Sequence, residues 1–355
     1  MKNLTHFLFL ILFIITQADT VCGEPRLKFG YIDQTGKLVI EPKFDWAESF
    51  SEGLAAVQVI YSHKPLDFKW GYMDKSGKIA IQPQFEGARE FSEGLACIFT
   101  DKGSGYIDKT GKMVIKPQFN GAYSFSSGMA AVEIGVPGSA RGSRWVYIDR
   151  TGKVVIDRNI DWGKEFSEGL AAVAVDDKWG YIDQEGKMVI QPQFGEECGD
   201  ADCSVGNFSE GLAAVYMQGK WGYIDKTGKM VIEPSFEMAT SFQEGIAVIS
   251  EDNSFSYIDE KGNKVFQAEF NDAFPFSEGL APVKIGNKWG YMNRKGTIVI
   301  EPRFTEVCGF QEGLAAVKID HQWGYIDQKG TIVCKPKFDE VRNFSEGMAA
   351  VGIKY

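Results

Sequence analysis

The chain has 355 residues, enough for two or three ordinary domains or one long array. Asp and Glu (48) outnumber Lys and Arg (38), and the net charge of −10 excludes the basic stripe of a nucleic-acid binder and attraction to an anionic membrane surface. Apolar residues at 44% and charged residues at 24% exclude a disordered chain, and three histidines leave little for a histidine-based active site or metal centre. The excesses are 40 glycines, well above the typical ~7%, and 13% aromatic residues. Together they imply many turns between short, ring-rich strands.

In chain order, the first element is an address. Met1-Lys2-Asn3 is a short basic start, and residues 7–15 are nine unbroken apolar residues followed by small and polar ones. A membrane span needs about 20 apolar residues, so this pattern predicts a secretory signal peptide over 1–23. Cleavage falls after Ala18 or after Gly23. Cys22 opens a lipoprotein alternative, but Asp19-Thr20-Val21 is a poor lead-in for lipidation. With no second apolar run, no integral membrane span is expected. The mature protein is expected to be exported, to the periplasm or the extracellular space.

Everything after residue 23 reads as one domain of nine copies, starting near 28, 69, 103, 144, 178, 220, 254, 288 and 322. The tyrosine of the phrase G-Y-I-D recurs at Tyr31, Tyr72, Tyr106, Tyr147, Tyr181, Tyr223, Tyr257, Tyr291 and Tyr325. The spacings are 41, 34, 41, 34, 42, 34, 34 and 34. The period is 34 residues, with insertions at 60–68, 135–144 and 195–206. A Trp-Gly pair opens five copies, at Trp70-Gly71, Trp179-Gly180, Trp221-Gly222, Trp289-Gly290 and Trp323-Gly324. Copies one, three, four and seven depart from it, with Phe29-Gly30, Ser104-Gly105, Trp145-Val146 and Phe255-Ser256. Copy four also has Arg158-Asn159-Ile160 in place of Pro-x-Phe.

This pattern resembles the WG-repeat family of bacterial exported proteins. The resemblance covers the chain from about residue 28 onward and implies a non-catalytic, β-rich repeat module.

Each copy can also be read physically. Strand a, W-G-Y-I-D, alternates and places Trp and Tyr on one face. D-x-x-G-K is a turn with a left-handed glycine, found at Gly36, Gly77, Gly111, Gly152, Gly186, Gly228, Gly262, Gly296 and Gly330. Strand b, M-V-I, ends at Pro in most copies. A polar link carries two Phe, S-E-G turns the chain, and strand c, L-A-A-V, leads into the next strand a. Strands c, a and b therefore form an antiparallel meander. Stacked copies bury their rings in a continuous core, each ring removing ~150–250 Å² from water. The expected mature chain begins near a strand a and stops after a strand c, which splits a c–a hairpin between its ends as a closed propeller does. Nine copies nevertheless exceed the usual four to eight blades, and 34 residues is short for a four-stranded blade. The expectation is an all-β, open, twisted, solenoid-like array of three-stranded repeats, with a closed propeller-like ring as the alternative.

The chemistry on offer is sparse. The repeated turn acids, such as Asp33 and Asp225, read as caps of their own turns rather than calcium ligands, because each loop supplies one carboxylate. The S-E-G glutamates, such as Glu52 and Glu346, read as turn and surface residues. His63 and His321 lie in variable connections without a nucleophile, and no P-loop, G-x-G-x-x-G or H-E-x-x-H is present. No catalytic residue, metal site or cofactor is expected, and the protein is expected not to be an enzyme.

Out-of-phase residues are the candidate binding surface: Trp46 and Trp162 in the links, Tyr61 and His63 in the first insertion, and Arg141 and Arg144 in the second. Export permits disulfides. Cys198 and Cys203 bracket a glycine in the third insertion and are expected to pair, with Cys308 and Cys334 as a weaker pair across adjacent copies. Cys97 replaces an alanine of strand c and is expected to be a buried thiol. The functional expectation is a scaffold for protein–protein interaction. The alternative is a cell-envelope or carbohydrate-binding module that uses exposed aromatics.

Overall fold

The computed structural model describes residues 26–61, 68–135, 142–195, 205–266 and 268–355. The signal segment, His63, Arg141, Cys198 and Cys203 lie outside the described residues.

Two turns shape each copy. In the first, Gly36 donates its N–H to the Asp33 carbonyl at 2.9 Å and sits at φ +79°. Asp33 Oδ1 accepts the N–H groups of Thr35 (2.9 Å) and Lys37 (3.1 Å), so the carboxylate caps its own turn. This joins strand a (Leu27–Asp33) to strand b (Leu38–Phe44). The second turn, S-E-G, has both central residues left-handed, Glu52 at φ 52° and Gly53 at φ 87°. That is the twist a two-residue hairpin needs. It joins the link, which is itself a strand (Trp46–Ser51), to strand c (Leu54–Ile60).

The Trp-Gly glycine answers to its neighbour. Strand b carries extra residues opposite strand a, a bulge that pushes its backbone inward. A Cβ on Gly71 would lie 2.5 Å from the Ile81 carbonyl oxygen and 2.6 Å from Pro83 N. The two copies with a side chain at this position, Val146 and Ser256, are the two whose strand b lacks the proline.

Sequence copies and structural blades are out of step. One blade takes its link and strand c from copy one, and its strand a (Phe68–Asp74) and strand b (Ile79–Phe85) from copy two. Seven sheets have this four-stranded order. In the blade around Leu212–Met217, Gly195 and Gly206 hydrogen-bond to strand c where the link would run. In the blade around Ser254–Asp259, isolated bridges from Lys264 and Phe270 replace strand b. Because each copy straddles two blades, its own core stitches them together. The Tyr31 hydroxyl donates to the Glu48 carbonyl at 2.7 Å, from one blade to the next. The other eight tyrosines do the same toward Arg89, Tyr123, Lys164, Gly206, Thr240, Phe274, Cys308 and Arg342. All nine are buried, and burial pushes their phenols far above the usual range.

The ninth blade corrects the expectation of an open array. Strand a of copy one pairs with the last strand (Met348–Lys354) over seven residue pairs, from Leu27↔Lys354 to Asp33↔Met348. The strands of that blade run, in order, from copy one's b and a to copy nine's c and link. The split hairpin is therefore made, and the chain is a closed nine-bladed β-propeller. The link, read from sequence as a connection, supplies the fourth strand that 34 residues seemed too few to provide. Neighbouring link strands touch, Trp46–Ser51 against Gly87–Ser92, which places the links around the axis. Strands b form the rim, where Val39 is 43% exposed.

Candidate functional site: the two faces of the ring

All strands end on one of two faces, and the faces differ in kind. One face carries the S-E-G and D-x-x-G turns. The other carries the c–a hairpins, the b-to-link junctions and the tryptophans that open strand a.

On the turn face, each S-E-G glutamate reaches the next blade. Glu52 accepts the Gly94 N–H (3.0 Å), Glu168 that of Gly211 (3.0 Å), Glu210 that of Gly245 (2.7 Å) and Glu346 that of Gly53 (3.1 Å), which completes the circle. Glu93, Glu244, Glu278 and Glu312 bond Gly128, Gly279, Gly313 and Gly347 in the same way. A side chain from the D-x-x-G turn of that next blade often joins in, as with Lys109 on Glu52 (2.9 Å), Lys226 on Glu168 (3.0 Å) and Lys75 on Glu346 (2.9 Å). The Lys109 hydrogen bond holds the Glu52 carboxyl below its ordinary range, with the Gly94 and Glu93 N–H groups assisting. For Glu168 and Glu346, burial pushes upward, but the lysine and backbone donors together win and lower the pKa. Sequence reading took these glutamates for surface residues. The available signal was their backbone: a non-glycine residue in the left-handed region costs roughly 1–2 kcal/mol, and asparagine or aspartate is favoured there. A repeated glutamate implies that its side chain is used.

The hairpin face collects the candidate residues. The anchoring ends of all three insertions lie there: 60 and 68 at a c–a turn, 135 and 144 at a second, and 195 and 206 at a b-to-link junction. All three fall among the blades built from copies one to six. Tyr61 is 59% exposed beside the first insertion, with its hydroxyl 3.4 Å from the Pro83 carbonyl. Arg144 pairs with Asp157 at 2.9 Å at the edge of the second.

Trp46 and Trp162 are less open than sequence phase implied. Trp46 packs 5.4 Å from Phe29, lies under Arg342 (4.6 Å) and donates to Glu48 at 2.7 Å. Trp162 packs 4.9 Å from Trp145, which also meets Tyr123 at 5.3 Å. Both are half-buried mortar between blades.

Sequence reading missed the residues beside them. Arg89 lies over Phe99 (5.7 Å) and Tyr123 (5.5 Å), and its buried Nε has no hydrogen-bond partner among the described residues. Burial raises the Glu165 carboxyl above its ordinary range against the pull of Arg89, and burial lowers Lys164, whose Nζ meets the Val205 carbonyl at 2.8 Å. Arg89, Tyr123 and Lys164 occupy a link position whose side chain changes character from copy to copy. That variability was the signal for them.

The cysteines divide. Cys97 is a buried free thiol whose pKa is pushed up to about 12 by burial. The pairing expected of Cys308 and Cys334 is not made, and both are free. Cys308 bonds to strand c at the link edge of its blade, while Cys334 lies in strand b at the opposite edge. Three strand spacings, about 14 Å, separate those edges, twice the reach of a disulfide. Cys334 instead packs on Gly36 of the closing blade, with its thiol 3.8 Å from the Gly36 carbonyl. The turn acids cap their own turns. Asp225, like Asp33, spends Oδ1 on its own turn, accepting from Thr227 and Lys229.

A closed ring of nine blades, stitched by phenols within and glutamates on one face, defines a repeat-built β-propeller. Nine segments, 29–59, 70–102, 105–135, 145–179, 179–221, 221–254, 255–289, 289–320 and 323–354, match the model of the WG containing repeat, and the chain belongs to that family. No curated protein matches the chain. Among solved structures it is similar to a eukaryotic initiation factor, at 14% identity and TM-score 0.53 over 77% of this chain and 84% of that one. It is more distantly similar to the dihydro-heme d1 dehydrogenase NirN (14%, TM-score 0.44, 87% and 79%) and to Hsv2 of Kluyveromyces lactis (11%, TM-score 0.40, 68% and 94%). At these identities the likeness is one of fold.

Proposed function

We propose that the chain is an exported, non-catalytic scaffold that binds a partner protein on its hairpin face, across the blades of copies one to six. The supporting observation is the convergence there of three insertions with Tyr61, Arg144 and the Arg89–Tyr123–Trp145–Trp162 run. Variable loops on a rigid ring are the usual construction of a recognition surface. The glycan-binding alternative draws less support, because Trp46 and Trp162 already spend ring area on Phe29 and Trp145. The test is a pull-down from an envelope fraction with the full chain and with a chain whose residues 62–67, 136–141 and 196–204 are shortened. The expected result is a partner held by the first and lost by the second. Equal capture by both, or a tryptophan fluorescence change with peptidoglycan, would sink this reading.

A further inference from the structure

The turn-face circle has nine stations, and one of them is filled differently. Copy three reads Ser126-Ser127-Gly128, so Ser127 stands where the other eight copies have glutamate. Its backbone is unchanged, at φ 56°. The gap to the next blade is also unchanged: Ser126 Oγ donates to the Phe166 carbonyl at 2.8 Å, against 2.7 Å for Ser92 on Phe125 and for Ser167 on Phe208.

The donors of the station are all retained. Elsewhere the carboxylate takes the glycine N–H, and Glu168 takes both that of Gly211 (3.0 Å) and that of the residue before it, Glu210 (2.6 Å). The matching groups here are the N–H groups of Gly169 and Glu168, and among the described residues no acceptor meets that of Gly169. The D-x-x-G turn contributes Gln184. Glutamine at that position donates to a carboxylate at two other stations, Gln34 to Glu312 (3.2 Å) and Gln328 to Glu278 (3.3 Å). No side chain lies within 4 Å of where a Gly169 Cβ would be.

We infer that the station formed by Ser127, Glu168, Gly169 and Gln184 is a receptor for a carboxylate from outside the ring, either a small organic acid or the acidic group of a peptide. Eight stations of the same molecule show that the glycine N–H takes a carboxylate, and two of them show the glutamine doing so. Ser127 is too short to supply it, and two backbone N–H groups with a side-chain amide favour a planar anion. This site lies on the face opposite the proposed partner surface and stands independently of it.

The experiment uses the full mature chain with 15N-glycine labelling, titrated first with acetate and then with short peptides ending in a free or an amidated C-terminus. The Gly169 amide resonance is expected to move with acetate while the eight carboxylate-capped glycines stay still. Ser127→Glu is expected to abolish the movement and raise the melting temperature. A shift with the free-acid peptide and none with the amide assigns the peptide source, and a shift with acetate alone assigns the small acid. A Gly169 amide that does not move, or that moves equally in Ser127→Glu, overturns the proposal.

Discussion

The two faces of the ring are built from the same nine copies and behave as opposites. On the turn face, eight of nine stations repeat one carboxylate contact, and its geometry leaves little room for individuality. On the hairpin face, the turns tolerate seven or eight extra residues, and the link position of Glu48, Arg89, Tyr123 and Lys164 changes charge from blade to blade. The difference teaches where a repeat protein keeps its constraint. Blade-to-blade bonds fix one face, and the other is free to specialise.

The comparison can be broken most severely at closure. Ending the chain after residue 347 removes the strand that pairs with Leu27–Asp33 along its length. Both faces are expected to lose cooperative unfolding, seen as a broad, early calorimetric transition. If the truncated chain melted like the full one, closure would contribute nothing.

Smaller changes separate the faces. Glu52→Ala leaves the Gly94 N–H without its carboxylate and is expected to cost about 1 kcal/mol, read as a lower denaturant midpoint with partner capture intact. Tyr61→Ala with Arg144→Glu should do the reverse, changing stability by less than about 0.5 kcal/mol and abolishing capture. A stability loss from the second pair equal to that from Glu52→Ala would erase the distinction.

Acid gives a finer reading. The folded-state pKa values of Glu52, Glu168 and Glu346 are lowered, so their contribution is present above the unfolded-state carboxyl pKa, near 4.5, and is lost as pH falls through the lower folded values. Melting temperature is expected to drop below about pH 4.5, and Glu52→Gln is expected to make that drop shallower. The smallest effect is chemical. Cys97, with its pKa pushed up to about 12 and no solvent exposure, should resist iodoacetamide at pH 8 in the folded protein and react after unfolding, as followed by mass spectrometry.

Much of this was legible in sequence. The 34-residue period, strands a, b and c, the left-handed glycines and the self-capping aspartates follow from local chemistry and are present in the ring. The link strand was hidden because its buried residues Ala47 and Phe50 are three apart, with a register shift between them that breaks the two-residue rhythm. Closure was hidden because it depends on the rotation between neighbours, a small angle that identical local patterns can realise in open or closed form. The candidate surface was half legible. Phase picked out Trp46 and Trp162, but their burial depends on Phe29 and Trp145, rings supplied by neighbouring blades.

The bulge of strand b has one more consequence, for the order in which such repeats change. With proline in place, a side chain at the Trp-Gly glycine meets backbone at about 2.5 Å, so that substitution is closed to copies such as two, five and nine. Copies four and seven carry both departures, Val146 without its proline and Ser256 without its proline. The passable route loses the proline first, or both together. The glycine of the Trp-Gly pair and the proline of strand b are therefore one inherited character rather than two.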